Sequence, residues 1–163
     1  MVHTELNHVS VLATDLDRSA AFYEELFDFE PIPSPNFDFE VRWLEMGDGR
    51  QLHLFDLETE VPEYHHFGVT VADLEAVYHE AKSRGILTDF SDDPESYRLY
   101  SLPDGAVQMY VEDPAGNVIE VNWPDVESLG EEIREEITDR GDLVPQTGKA
   151  AEASLRLRES STD

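Results

Sequence analysis

The 163-residue sequence contains no cysteine, few basic residues and no long apolar run. Without cysteine the chain has no disulfide, no thiolate metal ligand and no cysteine nucleophile. No stretch approaches the ~20 consecutive apolar residues that span a bilayer. The first residues also lack the basic region and apolar stretch of an export signal. We therefore expect a cytoplasmic protein without a membrane partner.

Basic residues number 11, and only Lys82 and Lys149 are lysines, against 37 acidic residues and a formal net charge of −26. A chain of this charge repels nucleic acid, which is therefore not an expected partner. Hydrophobic residues still make up 40% of the sequence and recur in regular patterns, which indicates a folded protein. Such an acidic surface favours a halophilic protein, because concentrated salt screens the repulsion. The alternative is an acidic protein from a low-salt cytoplasm.

Two copies of one short pattern are the most informative feature that is present. Residues 8–16 (HVSVLATDL) and 66–74 (HFGVTVADL) begin with histidine, continue as a strand-like run and reach an Asp-Leu pair that starts a helical pattern. Strand-like runs separated by glycine turns follow each helix. The sequence therefore predicts an α+β domain over 1–124, built from two βαβββ modules (5–60 and 64–124), and an acidic helical tail over 125–163.

The first and last strands of the modules carry candidate metal ligands on their more polar faces. Because alternate strand residues point to opposite faces, His8 shares a face with Ser10, and Glu120 shares one with Asn122. The opposing faces are apolar. His65 adjoins the second module's first ligand but points to the other face, so we interpret it as structural. The four candidate ligands are His8, His53, His66 and Glu120.

Imidazoles and a carboxylate suit a divalent Zn, Ni, Co, Mn or Fe ion. An ionised Glu120 on a cavity wall is costly unless a cation or hydrogen bonds compensate it. Three His and one Glu would leave two octahedral positions for water or a chelating substrate. His53 is the weakest candidate, and a site of His8, His66 and Glu120 alone is also coherent. Taken singly, each residue has an alternative reading as a hydrogen-bonded or surface side chain.

These residues resemble the vicinal oxygen chelate superfamily, which includes glyoxalase I, extradiol dioxygenases, fosfomycin-resistance transferases and bleomycin-resistance proteins. The resemblance covers about residues 5–123 and rests on the strings LNHV (6–9), DLDRSAAFY (15–23), HFGV (66–69) and VEDPAGNVIE (111–120). It implies a U-shaped mixed sheet around one divalent metal ion held by the four candidate ligands. It also implies a homodimer. Glyoxalase I usually carries Glu where this chain has His53.

The resemblance further implies an enzyme, a lyase or isomerase like lactoylglutathione lyase, whose small substrate is chelated through adjacent oxygens. The proton-transfer role would fall to Glu120, and Arg98 and Tyr110 are candidate substrate-binding residues. Three alternatives stay open. One is an extradiol-type dioxygenase with Fe(II) on His8, His66 and Glu120, one a non-catalytic small-molecule-binding protein of the resistance type, and one a thiol transferase acting on an epoxide.

Overall fold

A computed structural model describes residues 4–57, 59–62, 64–89, 97–155 and 157. The chain divides into two units. Unit one runs to His65 and also includes Asp113–Asn117, and unit two consists of His66–Glu112 and the chain from Val118 onward. Both are mixed α and β, which confirms the predicted α+β class with two βαβββ modules. Among the described residues, no helix has the length and apolar content that crossing a bilayer requires.

Unit one follows the predicted βαβββ order. Its elements are β1 (His8–Leu12), α1 (Leu16–Phe27), β2 (Glu30–Ile32), β3 (Val41–Gly47) and β4 (Arg50–Phe55). The strands lie in the order β1-β4-β3-β2, with β1 parallel to β4 and the other pairs antiparallel. Helix α1 begins where the sequence predicts, because the Asp15 side chain accepts a hydrogen bond from the backbone N–H of Arg18 at 3.0 Å.

The loop between β3 and β4 and the core beneath α1 fix this sheet. Asp48 and Gly49 have φ angles of 52° and 72°, the left-handed conformation that a two-residue hairpin loop of type I′ needs at both positions. Leu44, Leu52 and Leu54 are almost completely buried on the apolar face of the hairpin. The opposite face of β4 therefore presents His53 and its neighbours in register.

A turn from the second module completes unit one. The carboxylate of Asp113 is buried and accepts a hydrogen bond from the Tyr23 hydroxyl at 2.9 Å. It also accepts from the backbone N–H groups of Ala115 and Asn117. The Asn117 amide donates to the same carboxylate and to the carbonyl of Leu12, both at 2.7 Å. Burial and the charge of Asp113 raise the pKa of Tyr23, so its hydroxyl stays a donor.

Unit two repeats the order with one interruption. Its elements are β5 (His66–Thr70), α2 (Leu74–Arg84), β6 (Leu87–Thr88), β7 (Leu99–Ser101), β8 (Val107–Glu112), β9 (Val118–Trp123), α3 (Glu131–Glu136), β10 (Ile137–Asp139) and α4 (Arg140–Leu143). The sheet order is β10-β7-β8-β9-β5, and β6 also pairs with β8. Asp73 caps α2, and Gly85, with φ of 66°, ends it as the sequence predicts.

The chain after residue 124 is less helical than the sequence predicts. A helix expected over 128–139 is only α3, and the next three residues form strand β10, which pairs in parallel with β7. Ile137 and Thr138 are β-branched, which favours a strand over a helix. The chain therefore pairs with the edge of β7 at this point instead of continuing α3. A second helix expected over 148–158 is a 3-10 helix at Gly148–Glu152. Residues 156 and 158–163 lie outside the described residues.

Candidate active site

In unit one, the parallel pairing of β1 and β4 brings two predicted ligands together. Ser10 is the register partner of His53, which places His8 and His53 on the same face of neighbouring strands. Their rings stack with centroids 4.4 Å apart. His8 is exposed, whereas His53 is 7% exposed. The Asn7 amide oxygen accepts from Nδ1 of His8, which leaves Nε2 of His8 with a lone pair for a metal or a proton.

A tryptophan that the sequence reasoning did not single out covers the other side of His53. Trp43 is the cross-strand partner of His53, and their rings stack nearly parallel at a centroid distance of 4.0 Å. Nε2 of His53 lies 2.9 Å from the amide oxygen of Gln51, so it carries the proton and Nδ1 has the lone pair. Burial, followed by the nearby His8, lowers the pKa of His53 and keeps its ring neutral.

This stack restricts how the two histidines can bind metal. A metal ion binds an imidazole nitrogen in the plane of the ring, about 2 Å from the nitrogen. The His8 and His53 planes differ by only 17° and lie one above the other, so they share no such point. One of the rings must turn before both hold the same ion. His8 is exposed and turns more readily than His53, which is buried and held by Trp43 and Gln51.

In unit two, the pairing of β8, β9 and β5 builds the second half of the predicted set. Glu120 is 9% exposed, and its Oε2 accepts a hydrogen bond from the Tyr110 hydroxyl at 2.9 Å. Nε2 of His66 lies 3.5 Å from the same oxygen, and the His66 ring meets the Tyr110 ring edge-on. Burial and the Glu120 carboxylate raise the pKa of Tyr110, so its hydroxyl stays protonated and donates.

Gly68 makes room for this pair on the neighbouring strand. A Cβ at Gly68 would lie 3.2 Å from Nδ2 of Asn122 and 3.7 Å from Oε1 of Glu120. A side chain there would press on the Asn122 amide and close the space beside the carboxylate. The glycine in the second copy of the repeat therefore has a packing reason that its sequence position alone does not reveal.

The remaining predicted residues are placed differently. Tyr110, predicted to touch substrate, contacts Glu120, whereas Arg98 is exposed immediately before β7. His65 is exposed, with its backbone N–H bonded to the carbonyl of Pro62. Within the described part of the chain, no three His, Asp or Glu side chains converge on one point. The predicted ligands thus occur as two pairs, His8 with His53 and His66 with Glu120.

Comparison with known proteins identifies the relatives of this chain. Residues 5–121 match the family model of the Glyoxalase/Bleomycin resistance protein/Dioxygenase superfamily. Glyoxylase I 4 of Arabidopsis thaliana is 29% identical over 148 residues, 80% of this chain and 79% of that protein.

Two solved structures share the fold. Lactoylglutathione lyase of Agrobacterium tumefaciens has a TM-score of 0.53 at 23% identity, covering 74% of this chain and 93% of that one. A variant of the fosfomycin resistance protein FosX of Listeria monocytogenes, complexed with Mn(II) and dihydroxypropylphosphonic acid, has a TM-score of 0.62 at 14% identity, covering 77% and 96%.

Proposed function

Because the chain belongs to the Glyoxalase/Bleomycin resistance protein/Dioxygenase superfamily, we propose that it is a divalent-metal-dependent enzyme of the glyoxalase type. Its reaction is a lyase or isomerase step, like that of lactoylglutathione lyase, on a small substrate chelated through adjacent oxygens. The observation that carries this reading is the buried Glu120 carboxylate, 3.5 Å from Nε2 of His66 and bonded to Tyr110. A buried carboxylate beside an imidazole nitrogen is a donor pair that a divalent cation stabilises.

We assign one divalent ion to His8, His53, His66 and Glu120. The donor set fits Zn, Ni, Co, Mn or Fe(II), and the related FosX structure contains Mn(II). The fit is good for His66 and Glu120, and for His8, whose Asn7 partner fixes the tautomer that leaves Nε2 open. His53 fits only if one of the stacked histidine rings turns, because the His53 ring is stacked on Trp43 and bonded to Gln51.

When bound, the ion supplies Lewis acidity that polarises the substrate carbonyl. The chain's own contribution is proton transfer by Glu120. The Tyr110 hydroxyl is bonded to Oε2, so Oε1 takes the proton from the hydroxyl-bearing carbon next to the carbonyl. Oε1 then returns this proton to the former carbonyl carbon, and the substrate's hydroxyl proton moves to the former carbonyl oxygen, which completes an isomerisation. The Tyr110 hydroxyl, kept protonated by burial, holds the carboxylate in one orientation throughout.

Metal analysis of matched variants tests the ligand assignment. Protein purified anaerobically in molar salt should carry about one transition metal ion per chain, and His66→Ala or Glu120→Ala should remove it. His65→Ala is the control, because it changes an exposed neighbour on the other strand face. Equal metal content in all three variants would contradict the assignment.

The base role of Glu120 needs a separate test. Glu120→Gln keeps an oxygen donor and loses the base, so isomerase activity should fall about 10²-fold or more while most of the metal remains. A hydroxamate, which chelates through two oxygens, should bind the metal-loaded form only. Activity of the Gln variant within a few-fold of the parent, with metal retained, would remove Glu120 from the proton transfer.

The extradiol-type dioxygenase is the second candidate, and the stack on His53 favours it. If Trp43 and Gln51 keep His53 off the metal, the ligands are His8, His66 and Glu120, the two-His-one-carboxylate set of Fe(II) oxygenases. His53→Ala then leaves metal content unchanged, whereas His8→Ala lowers it. Loss of metal in both variants supports four ligands and the glyoxalase-type reaction.

We further propose that the protein is a cytoplasmic, halophilic homodimer. The net charge of −26 supports the halophilic reading, since screening in molar salt removes most of the self-repulsion. Among the described residues, the sheets end at strands β1 and β2 in unit one and β10 and β5 in unit two, and such edges support self-association. Sedimentation in molar salt should give twice the 18.5 kDa chain mass. A strict monomer there would contradict the dimer.

A further inference from the structure

The segment after residue 124 brings a basic side chain to the polar face of unit two. Leu129 and Ile133 are buried, and the backbone N–H of Gly130 donates to Oε1 of Glu75 at 2.6 Å, which holds the segment to this unit. Strand β10 then pairs with β7, with Thr138 opposite Tyr100. The next residue after the strand is Arg140, whose guanidinium lies over the Tyr100 ring at 4.3 Å from its centroid.

Arg140 combines partial burial with the lack of an ion pair among the described residues. Its side chain is half-buried, yet no ion pair joins it to a carboxylate among the described residues, although the sequence has 37 acidic residues. The Tyr100 hydroxyl beneath Arg140 donates to the carboxylate of Asp89, at 3.2 Å to Oδ1 and 3.0 Å to Oδ2. A half-buried guanidinium without a carboxylate partner is a ready binding group for a planar anion.

A row of polar side chains connects this arginine with the catalytic half-site of unit two. Tyr100, Gln108 and Asn122 are successive cross-strand partners, so they lie on one face, and Glu120 is two residues from Asn122 on that same face.

Asn122 supplies a second feature that points to a ligand. Its side chain is buried at 4% exposure, and its Oδ1 has no hydrogen-bond partner among the described residues. Leaving a buried acceptor unpaired costs roughly 1–3 kcal/mol, a cost that a ligand hydroxyl can relieve by donating to it. The row therefore offers a cation at one end and an unpaired acceptor next to Glu120.

We propose that Arg140, Gln108 and Asn122 form a subsite for the carboxylate and hydroxyl of a small hydroxycarboxylic acid. The carboxylate lies against Arg140, and the hydroxyl donates to Oδ1 of Asn122. This deepens the glyoxalase-type function and rests on it for the reaction, though not for the binding. A carboxylate suits this guanidinium because its two oxygens can accept two parallel N–H bonds in one plane.

Binding to metal-stripped full-length protein tests the subsite independently of the metal reaction. The probes are malate, its uncharged diamide and succinate, which lacks the hydroxyl, titrated in potassium chloride by calorimetry and by NMR of the side-chain amides. Malate should bind tightest and shift the Gln108 and Asn122 amide signals. Succinate should bind more weakly and the diamide most weakly.

Variants identify the groups responsible. Arg140→Met keeps the aliphatic stem and should weaken malate about ten- to a hundredfold, with little effect on the diamide. Arg140→Lys should recover part of the loss, and Asn122→Ala should remove the preference for malate over succinate. Arg134→Met is the control, because Arg134 is exposed in the same segment and pairs with Glu127.

A merely structural arginine would give a different result. It would leave the ratio of malate to diamide affinity unchanged in Arg140→Met and Arg140→Lys, and that outcome overturns the subsite. Equal binding of malate and the diamide by the parent protein overturns it too. Should Arg140→Met not fold, Arg140→Lys and Asn122→Ala decide the matter. Failure here leaves the metal-content test of His66 and Glu120 unaffected, so the two hypotheses fail separately.

Discussion

Replacing Tyr23 by Phe removes one hydroxyl and tests how the buried Asp113 is stabilised. The hydroxyl donates to Oδ2 of Asp113 at 2.9 Å, and the carboxylate is 4% exposed. A hydrogen bond to a charged group contributes about 1.5–3 kcal/mol. For a chain of this size, each kcal/mol shifts the melting temperature by about 2–4 °C. We therefore expect Tyr23→Phe to lower it by about 3–12 °C, measured by scanning calorimetry in molar salt.

A double-mutant cycle separates this bond from general packing. In an Asp113→Asn background the acceptor is neutral, so Tyr23→Phe should cost only about 0.5–1.5 kcal/mol. Tyr64→Phe is the control, since Tyr64 is 62% exposed and its substitution should stay within about 0.5 kcal/mol. Equal costs of Tyr23→Phe in both backgrounds would refute the reasoning, because they would trace the effect to packing rather than to the buried charge.

Three further outcomes follow from the fold and the charge. The melting temperature should rise between dilute and molar potassium chloride, and a flat or falling curve would refute the halophilic reading. Ile133→Ala should cost about 2–5 kcal/mol of unfolding free energy because Ile133 is 1% exposed, whereas Glu132→Ala at the exposed neighbour should cost under about 0.5. The Lys82 hydrogen bond lowers the pKa of Glu136, so Glu136→Gln should cost at most about 1 kcal/mol at neutral pH in low salt, and the difference should vanish as the pH falls below the usual Glu range. A cost that grows on acidification would contradict that sign.

Local sequence patterns were enough to predict most of the helices and strands. The repeated His and Asp-Leu positions predicted both opening strands, and the caps at Asp15 and Asp73 form as expected because an N-cap needs only its own next three residues. The same period-two alternation placed Glu120 on the polar face beside Asn122. These features depend on neighbours along the chain, so sequence reasoning reaches them.

Features that depend on pairing between distant segments could not be predicted from the sequence. The Trp43 ring lies on His53 only because the hairpin register makes them partners, and nothing in the spacing of the two residues signals a stack. Strand β10 forms because β7 offers an edge, and the helical pattern around it predicted a longer helix. Arg140 was missed for the same reason, since its neighbour Tyr100 is reached only through that pairing.

Unit one cannot finish folding until the turn at Asp113–Asn117 has been synthesised, because that turn belongs to the unit. Tyr23 and Asp113 are 90 residues apart, and Leu12 and Asn117 are 105 apart, although both pairs are joined within unit one. During synthesis the first half of the chain cannot form these two bonds until the second half has emerged. We expect the Tyr23 hydroxyl and the Leu12 carbonyl to be solvated until then. Such long loops slow folding and extend the time in which nascent strands stay open to neighbours.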